Sequence, residues 1–469
     1  MAIGLRANRQ SGTWSANSEQ PILKVAGGRN ANRWRIPHED PAGGSVVQFA
    51  LFGVSWLILV GVADKLSWRG LDAENGSKRE GWAGATMDWF LWPLILLGHV
   101  GFWCFFFNRT HATAWPRPWR KGIEKFVLAV VFLPLSLGLV WVWSEGWPGP
   151  LRFSEGRLPL VGYLSFCGAI GVWFVAAWLL RKLNRRQPNE VRFLAREVFD
   201  VERETKQRLT AGRFAEFFRL VPGNRCTWMA ADTGELRLAR SDAGRWDGLK
   251  IAHLSDFHLT GGIRAEYYDW LVERINAEQC DLILLSGDLV DESHCLDWVP
   301  KIFGRLQARL GKYHVLGNHD LQITDQATYR KLLESAGCQY LSGRWLAIDF
   351  RGAPVFLTGN DLPWYSQAEQ LREAPPADAL KLLVSHSPDQ IRWAIDRQID
   401  VMFAGHTHGG QICFPLIGPV ISPSKYGVRF AGGEFKLGST LLLVSRGISG
   451  DEPIRWHCLP QVNVWTFRA

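Results

Sequence analysis

Four long apolar runs without charged residues, 46–63, 89–107, 126–143 and 158–180, dominate the first part of the chain. Each holds 18 to 23 residues, close to the roughly 20 needed to cross a hydrocarbon core of about 30 Å. The pattern predicts four membrane-spanning helices over residues 46–180, and Trp89, Trp143 and Trp178 near the run ends fit an interfacial aromatic belt. Residues 1–45, rich in Gly, Asn, Ser and Arg, predict a disordered tail, since they lack the apolar core of a cleavable signal. Residues 181–233 open on Arg181, Lys182, Arg185 and Arg186 and predict a basic connector, helical from about Asn189 to Leu209. From residue 234 to 469, short β-type runs alternate with helical segments such as 265–277 and 326–336. That alternation predicts an α/β layered domain.

Composition sharpens this division. Of 24 Trp, 15 precede residue 181, and the rest of the chain has the mixture of a soluble domain. The formal net charge of +8 could serve nucleic acid. The basic residues instead flank the apolar runs, which favours an anionic lipid surface as partner and gives no expectation of nucleic acid. Lys and Arg number six in residues 1–45, five in 108–125 and six in 181–196, against four in 64–88 and two in 144–157. The richer side is expected in the cytoplasm, with both termini. His99 is the one ionisable residue inside the runs, which favours an anchor over a transporter. Eight Cys without a C-x-x-C pair predict neither a zinc–thiolate site nor a disulfide framework.

The chemistry is carried by five apolar runs that each end in a residue able to bind metal. Lys250–Leu254 leads to Asp256 and His258, 282–285 to Asp288 and Asp291, and 313–316 to Asn318, His319 and Asp320; 382–384 leads to His386 and 401–404 to His406 and His408. Strand ends in an open α/β sheet gather at one edge, so these residues are expected to meet in one crevice. Period-2 spacing would aim Asp256 with His258, and His406 with His408, to one side of an extended chain. Gly287, Gly317 and Gly405 precede ligands, where the backbone must turn and approach closely. Oxygen and imidazole donors without thiolate suit Mn, Fe or Zn. The seven expected ligands, Asp256, His258, Asp288, Asn318, His386, His406 and His408, suit two divalent ions sharing a carboxylate, a clamp for in-line displacement at phosphorus. His319 is the candidate general acid, with Asp320 orienting its ring and Asp291 as a supporting carboxylate. Arg455 is a further candidate for phosphate, and the Gly359-Asn360-Asp361 turn is a candidate substrate loop that could equally be an ordinary turn.

The order D-x-H, G-D-x-x-D, G-N-H-D, H, G-H-x-H resembles the calcineurin-like metallophosphoesterase superfamily over about residues 246–469. The segments His253-Leu254-Ser255-Asp256, Ser385-His386-Ser387-Pro388-Asp389 and Gly405-His406-Thr407-His408-Gly409-Gly410-Gln411 resemble its membrane-associated, YkuE-like bacterial branch. The resemblance implies an αββα sandwich in which Asp256, His258, Asp288 and His408 hold one metal, and Asp288, Asn318, His386 and His406 the other, with His319 as acid. It further implies hydrolysis of a phosphodiester or pyrophosphate bond, including that of UDP-diacylglucosamine in lipid A synthesis. The expected protein is therefore a multi-pass enzyme of the bacterial inner membrane, its catalytic domain in the cytoplasm, acting on a lipid-linked nucleotide and needing no protein partner. A phosphodiesterase of soluble nucleotides and a non-catalytic membrane sensor or scaffold are the alternatives.

Overall fold

The structure, a computed structural model, describes residues 23–25, 81–115, 117–145, 158–184, 186–366, 371 and 374–469. Three long helices come first: α1 (Gly81–His111), α2 (Arg117–Glu145) and α3 (Leu158–Asn184). Among the described residues two segments are long and apolar enough to cross a membrane, Leu91–His111 in α1 and Gly162–Asn184 in α3. The expected span at 126–143 falls within α2, and the one at 46–63 lies outside the described residues. A four-helix membrane bundle is thus not what the described residues display; two candidate spans are. Helices α1 and α3 pack closely because Gly98 and Gly171 face each other's backbone. A Cβ at Gly98 would collide with the Cys167 carbonyl, and one at Gly171 with that of Leu94. Small residues of this kind let apolar helices approach where no hydrophobic force separates lipid from side chain. His99 Nδ1 meets the Tyr163 hydroxyl across the same pair at 2.7 Å.

The remaining chain folds into two sheets laid face to face. Strands are β1 (Leu23–Val25), β2 (Val191–Asp200), β3 (Trp228–Leu236), β4 (Lys250–Leu254), β5 (Leu282–Ser286), β6 (Gly311–Val315), β7 (Cys338–Tyr340), β8 (Trp345–Phe350), β9 (Ala353–Asn360), β10 (Leu380–Ser385), β11 (Val401–Ala404), β12 (Gly433–Leu437), β13 (Thr440–Val444) and β14 (Gln461–Phe467). One sheet runs β1-β2-β3-β14-β4-β5-β6-β7 and the other β12-β13-β11-β10-β9-β8. Neighbours β4 to β7 are parallel, as are β9, β10, β11 and β13. Leu284, Val315, Leu382, Val384, Phe403 and Leu443 form the core between the sheets. Each such side chain, fully buried, contributes about 1.5–3 kcal/mol.

Helices cover the outer faces. The helix α6 (Ala265–Ala277) buries Tyr267, Tyr268, Leu271, Val272 and Ile275 against Leu254 and Leu285, after α4 (Val201–Thr205) and α5 (Gly212–Arg219). On the second sheet Ile391 and Ala394 of α9 (Ile391–Asp396) pack on Leu383, Met402 and Leu442, after α7 (Val299–Ile302) and α8 (Gln326–Ser335). The result is an αββα sandwich, and central strands buried on both faces explain their unbroken apolar runs.

Residues 181–233 differ from the helical connector expected of them. Within the part expected to be helical, 189–209, residues 191–200 form a strand and only Val201–Thr205 are helical. Pairing decides this: β2 lies antiparallel on β3 along its length, with a bulge at 193–195, and Arg196 grips the buried Asp232 carboxylate at 2.7 and 2.6 Å. A charged sequence with fair helical propensity becomes a strand when a neighbour offers a ladder and a buried partner. Leu23–Val25, within the expected tail, pair in parallel with β2, and the rest of 1–45 lies outside the described residues.

The sandwich is joined to the helices beside the candidate site. Asn108 of α1, a candidate span, donates to the Val420 carbonyl (3.2 Å) and accepts from the Ser422 amide (2.8 Å). Ile421 is buried among Cys104 and Phe107 of α1 and Val127 and Val131 of α2. The Ser424 hydroxyl and the Lys425 amide both donate to Asp389, three residues past His386.

Candidate metal centre

The expected ligands lie past the carboxyl ends of β4, β5, β6, β10 and β11, but these ends belong to two sheets rather than one. The crevice is the seam where both sheets present the same end. Potential ligand atoms of Asp256, His258, Asp288 and His408 fall within 4.8 Å of one another, and so do those of Asp288, His386 and His406. Asp288 is common to both groups. The side-chain oxygen of Asn318 lies 3.1 Å from His386 Nε2, at the second group.

The local backbone is unusual. Asp256, His258, Asp288, His406 and His408 have φ of 54°, 44°, 51°, 70° and 55°, in the left-handed region that non-glycine residues seldom occupy. The D-x-H and H-x-H pairs are therefore not extended, and the period-2 argument for their convergence is replaced by tight turns. Such strain persists where the surroundings over-determine it, as at binding sites. Two glycines permit the crowding. A Cβ at Gly317 would strike the Asp288 carboxylate and lie 2.6 Å from His386 Cε1; one at Gly405 would strike Ser255 Oγ and lie 2.6 Å from Asp256 Oδ2.

Hydrogen bonds fix which imidazole nitrogen faces the cluster. Nδ1 of His258 meets Asp291 Oδ2 at 2.9 Å, Nδ1 of His386 meets the Ser286 carbonyl at 2.8 Å, and Nδ1 of His408 meets the Ser449 carbonyl at 3.2 Å. With the Nδ1 proton given to an oxygen, each Nε2 faces the cluster and offers a lone pair there in the neutral ring. Nε2 of His258 and of His408 lie 3.0 Å apart, and Nε2 of His406 is buried without a hydrogen-bond partner. Lone pairs pointed at one another in a dry site call for a cation, so the donor set fits divalent metal. Burial holds the proton affinities of His406 and His408 well below the ordinary range, with His386 adding to the effect on the first and His258 and Arg455 to that on the second. Burial would lower His386 as well, but the Asp288 carboxylate prevails and lifts it to about 9.

Two expected roles change hands. Asp320 does not touch His319. Its buried carboxylate accepts from the amides of Asp288 (2.9 Å), Leu289 (3.0 Å) and Gly317 (2.7 Å) and from the Tyr329 hydroxyl (2.6 Å). It ties the Asp288 loop to the Asn318 loop. The ring of His319 is held by Asp291 instead, 2.8 Å from Nδ1, because consecutive residues in the turn point in different directions. Asp291 thus braces His258 and His319 together. We predict that Asp291→Asn weakens metal binding by about 10–100-fold, the usual cost of an outer-shell change; titration with Mn²⁺ checks it.

Arg455 is engaged by the backbone. It is buried and donates to the carbonyls of His408 (3.0 Å) and Arg446 (2.6 Å) and to that of Ser449, behind the H-x-H turn. The Gly359-Asn360-Asp361 segment ends β9. Asn360 accepts from the Leu362 amide at 2.9 Å, and Asp361 from Tyr340 and from Ser342 (2.6 Å). This turn presents a residue that sequence reasoning missed. Trp364 packs its ring on His386 and His406, with centroids 5.2 and 4.8 Å apart. No spacing rule marks it; only the nearby Asn-Asp turn hinted at a loop over the site. His253 is buried and bonds Ser286 Oγ at 2.9 Å, and His314 lies in the core.

Residues 249–410 match the family model described as calcineurin-like phosphoesterase. The chain is 29% identical over 232 residues to the uncharacterized metallophosphoesterase YkuE of Bacillus subtilis, an alignment covering 48% of this chain and 80% of that protein. It is 27% identical over 219 residues to the phosphodiesterase YaeI of Escherichia coli, covering 46% and 80%. Against a transmembrane protein with metallophosphoesterase domain from Bos taurus it is 31% identical over 188 residues, 36% of this chain and 42% of that one. With the two-sheet scaffold and the buried Asp–His cluster already in place, residues 249–410 are those of a calcineurin-like metallophosphoesterase domain, which supports a hydrolase acting on phosphoester bonds.

Proposed function

We propose that this protein is a membrane-anchored enzyme that hydrolyses a phosphodiester or pyrophosphate bond with two divalent ions, on a lipid-linked nucleotide such as UDP-diacylglucosamine. The observation that carries the two-ion reading is the pair of ligand groups that share Asp288. When bound, the ions supply Lewis acidity and an acidified water for in-line attack at phosphorus. Asp256, His258, Asp288 and His408 would hold one, and Asp288, Asn318, His386 and His406 the other. The chain's own residues do the rest. Asp288 Oδ1 accepts from the His319 amide at 2.7 Å, fixing the Asn318-His319 turn over the cluster. Burial alone would lower the His319 pKa, but the Asp291 and Asp288 carboxylates raise it well above the ordinary range. A protonated ring held at Nδ1 can deliver a proton from Nε2 to the leaving oxygen.

The lipid-linked substrate is supported by the joining of α1, one of the two candidate spans, to the sandwich through Asn108 and Ile421. The basic ends of those helices, Arg109 and His111 on α1 and Arg181 and Lys182 on α3, support a cytoplasmic catalytic domain in an inner membrane. The test is hydrolysis by the purified full chain of a chromogenic phosphodiester and of UDP-diacylglucosamine, with Mn²⁺ or with EDTA. Manganese-dependent cleavage of both is expected. Activity on the diester without activity on the lipid nucleotide removes the substrate reading, and no metal-dependent turnover on either removes the catalytic one.

A further inference from the structure

Three of the four ligand imidazoles are oriented by an oxygen. Nδ1 of His258 meets the Asp291 carboxylate, and Nδ1 of His386 and of His408 each meets a backbone carbonyl. His406 is the exception. Its Nε2 is buried with no hydrogen-bond partner, and among the described residues neither nitrogen of its ring makes a hydrogen bond. The His406 backbone is anchored, since its amide donates to Asp256 Oδ1 at 3.0 Å, but that bond leaves the ring to turn about two side-chain torsions. A ligand imidazole usually gives its second nitrogen to an oxygen, which fixes the ring for the metal. Something else must hold this one.

Packing against Trp364 does so. The indole stands against His406 at a centroid distance of 4.8 Å and an interplanar angle of 60°, and against His386 at 5.2 Å and 69°. The two imidazoles lie 4.7 Å apart. The three rings therefore form one cluster in which Trp364 meets both ligands edge to face, a geometry that aromatic pairs prefer. Trp364 serves through its ring rather than its N–H. Its Nε1 is buried with no acceptor, and leaving that donor unbonded costs free energy that the packing must offset.

The turn that carries Trp364 is tied down on both sides. The amides of Trp364 and Tyr365 donate to the Asp361 carbonyl at 3.2 Å each. The Leu362 carbonyl accepts from Gln390 Nε2 at 3.0 Å, in the segment that follows His386. On the other side the Tyr365 hydroxyl donates to Gln326 Oε1 at 3.2 Å, and Gln326 Nε2 donates to the Asp320 carbonyl at 2.6 Å, beside His319. The indole is thus placed from the same loops that place the ligands.

We propose that Trp364 is a positioning residue of the metal centre, whose ring sets the His406 imidazole for the second ion in place of the oxygen that orients each of the other three. The proposal rests on the two-ion reading of the site. It confines the role of Trp364 to the ion held by Asp288, Asn318, His386 and His406, because His258 and His408 in the other group have Asp291 and the Ser449 carbonyl as braces.

Calorimetric titration of the metal-stripped full chain with Mn²⁺, with electron paramagnetic resonance of the same samples, tests this without turnover. The wild-type chain should take up two ions, the second bringing in the exchange-coupled signal of a Mn²⁺ pair. In Trp364→Ala the second ion should bind about 10–100-fold more weakly, the range for loss of a group that orients a ligand, while the first binds as before. Trp364→Leu, which keeps bulk without an aromatic ring and guards against a loss of fold, should weaken the same ion. Trp364→Phe should bind both as the wild type does. Unchanged second-ion binding in the Ala and Leu proteins overturns the proposal, as does equal weakening of both ions. A Phe protein as weak as the Ala protein overturns it in favour of the indole N–H. A wild-type chain that takes up a single ion overturns the two-ion reading, and the proposal with it, before any variant is compared.

Discussion

In the Asp288→Asn protein, metal-dependent hydrolysis of any phosphodiester falls by about 10³-fold or more, the several kcal/mol that metal ions supply to such a transition state. Metal content should fall at the same time. Asp288 Oδ2 lies 3.2 Å from His386 Nε2 and 3.6 Å from His258 Nε2, one imidazole in each ligand group. On the proposed two-ion reading, a carboxylate in that position would be shared by both cations, and a neutral amide would offer one weak oxygen to one of them. Removing a ligand of one group would then leave the other ion in place, whereas removing the shared one would loosen both. Elemental analysis of the dialysed protein should show two divalent ions per chain before the change and fewer after it. Two retained ions with unchanged turnover would exclude Asp288 as the bridge. Size-exclusion behaviour and thermal unfolding of the variant separate lost metal from lost fold.

The second large effect depends on the leaving group. His319→Ala should slow cleavage of an alkyl phosphodiester by about 10²–10⁴-fold, the usual contribution of a positioned general acid. With p-nitrophenolate as leaving group the loss should be far smaller, because that anion departs without a proton. The expectation comes from placement. His319 is tied through Nδ1 to Asp291, and its amide is fixed on Asp288, so the ring is set on the ligand loop with Nε2 remaining to serve the departing oxygen. Equal losses on both substrates would mean that the ring only shapes the site or binds the phosphoryl group. Solvent pH should not rescue the alkyl substrate, since bulk water cannot replace a proton delivered in place.

The two predictions use residues that stand out in the sequence to very different degrees. Asp288 and His319 follow apolar runs in motifs with few other physical explanations, and the structure brings both into the cluster. Asp291, three residues beyond a ligand, could be read as a brace before its partner was known. The choice of partner was not legible. Sequence adjacency pointed to Asp320 as the orienting group for His319, yet neighbours in a tight turn diverge, and Asp320 faces inward to five backbone and hydroxyl donors. Trp364 was invisible because aromatic residues in loops carry no spacing signature. Arg455 was legible as a cation near the end of the chain and nothing more; burial behind His408 decided its use.

What the sequence determined by itself is local: which stretches are strand ends, which side chains there can bind metal, and which runs are apolar enough to enter a bilayer. These follow from side-chain chemistry and from periodicity, which act over a few residues. The tertiary structure alone decided that the ligands come from two sheets rather than one, that left-handed turns rather than pleats aim the D-x-H and H-x-H pairs, and that residues 191–200 become a strand. Each of these depends on contacts between segments far apart in the chain, where packing and hydrogen-bond satisfaction outweigh local preference.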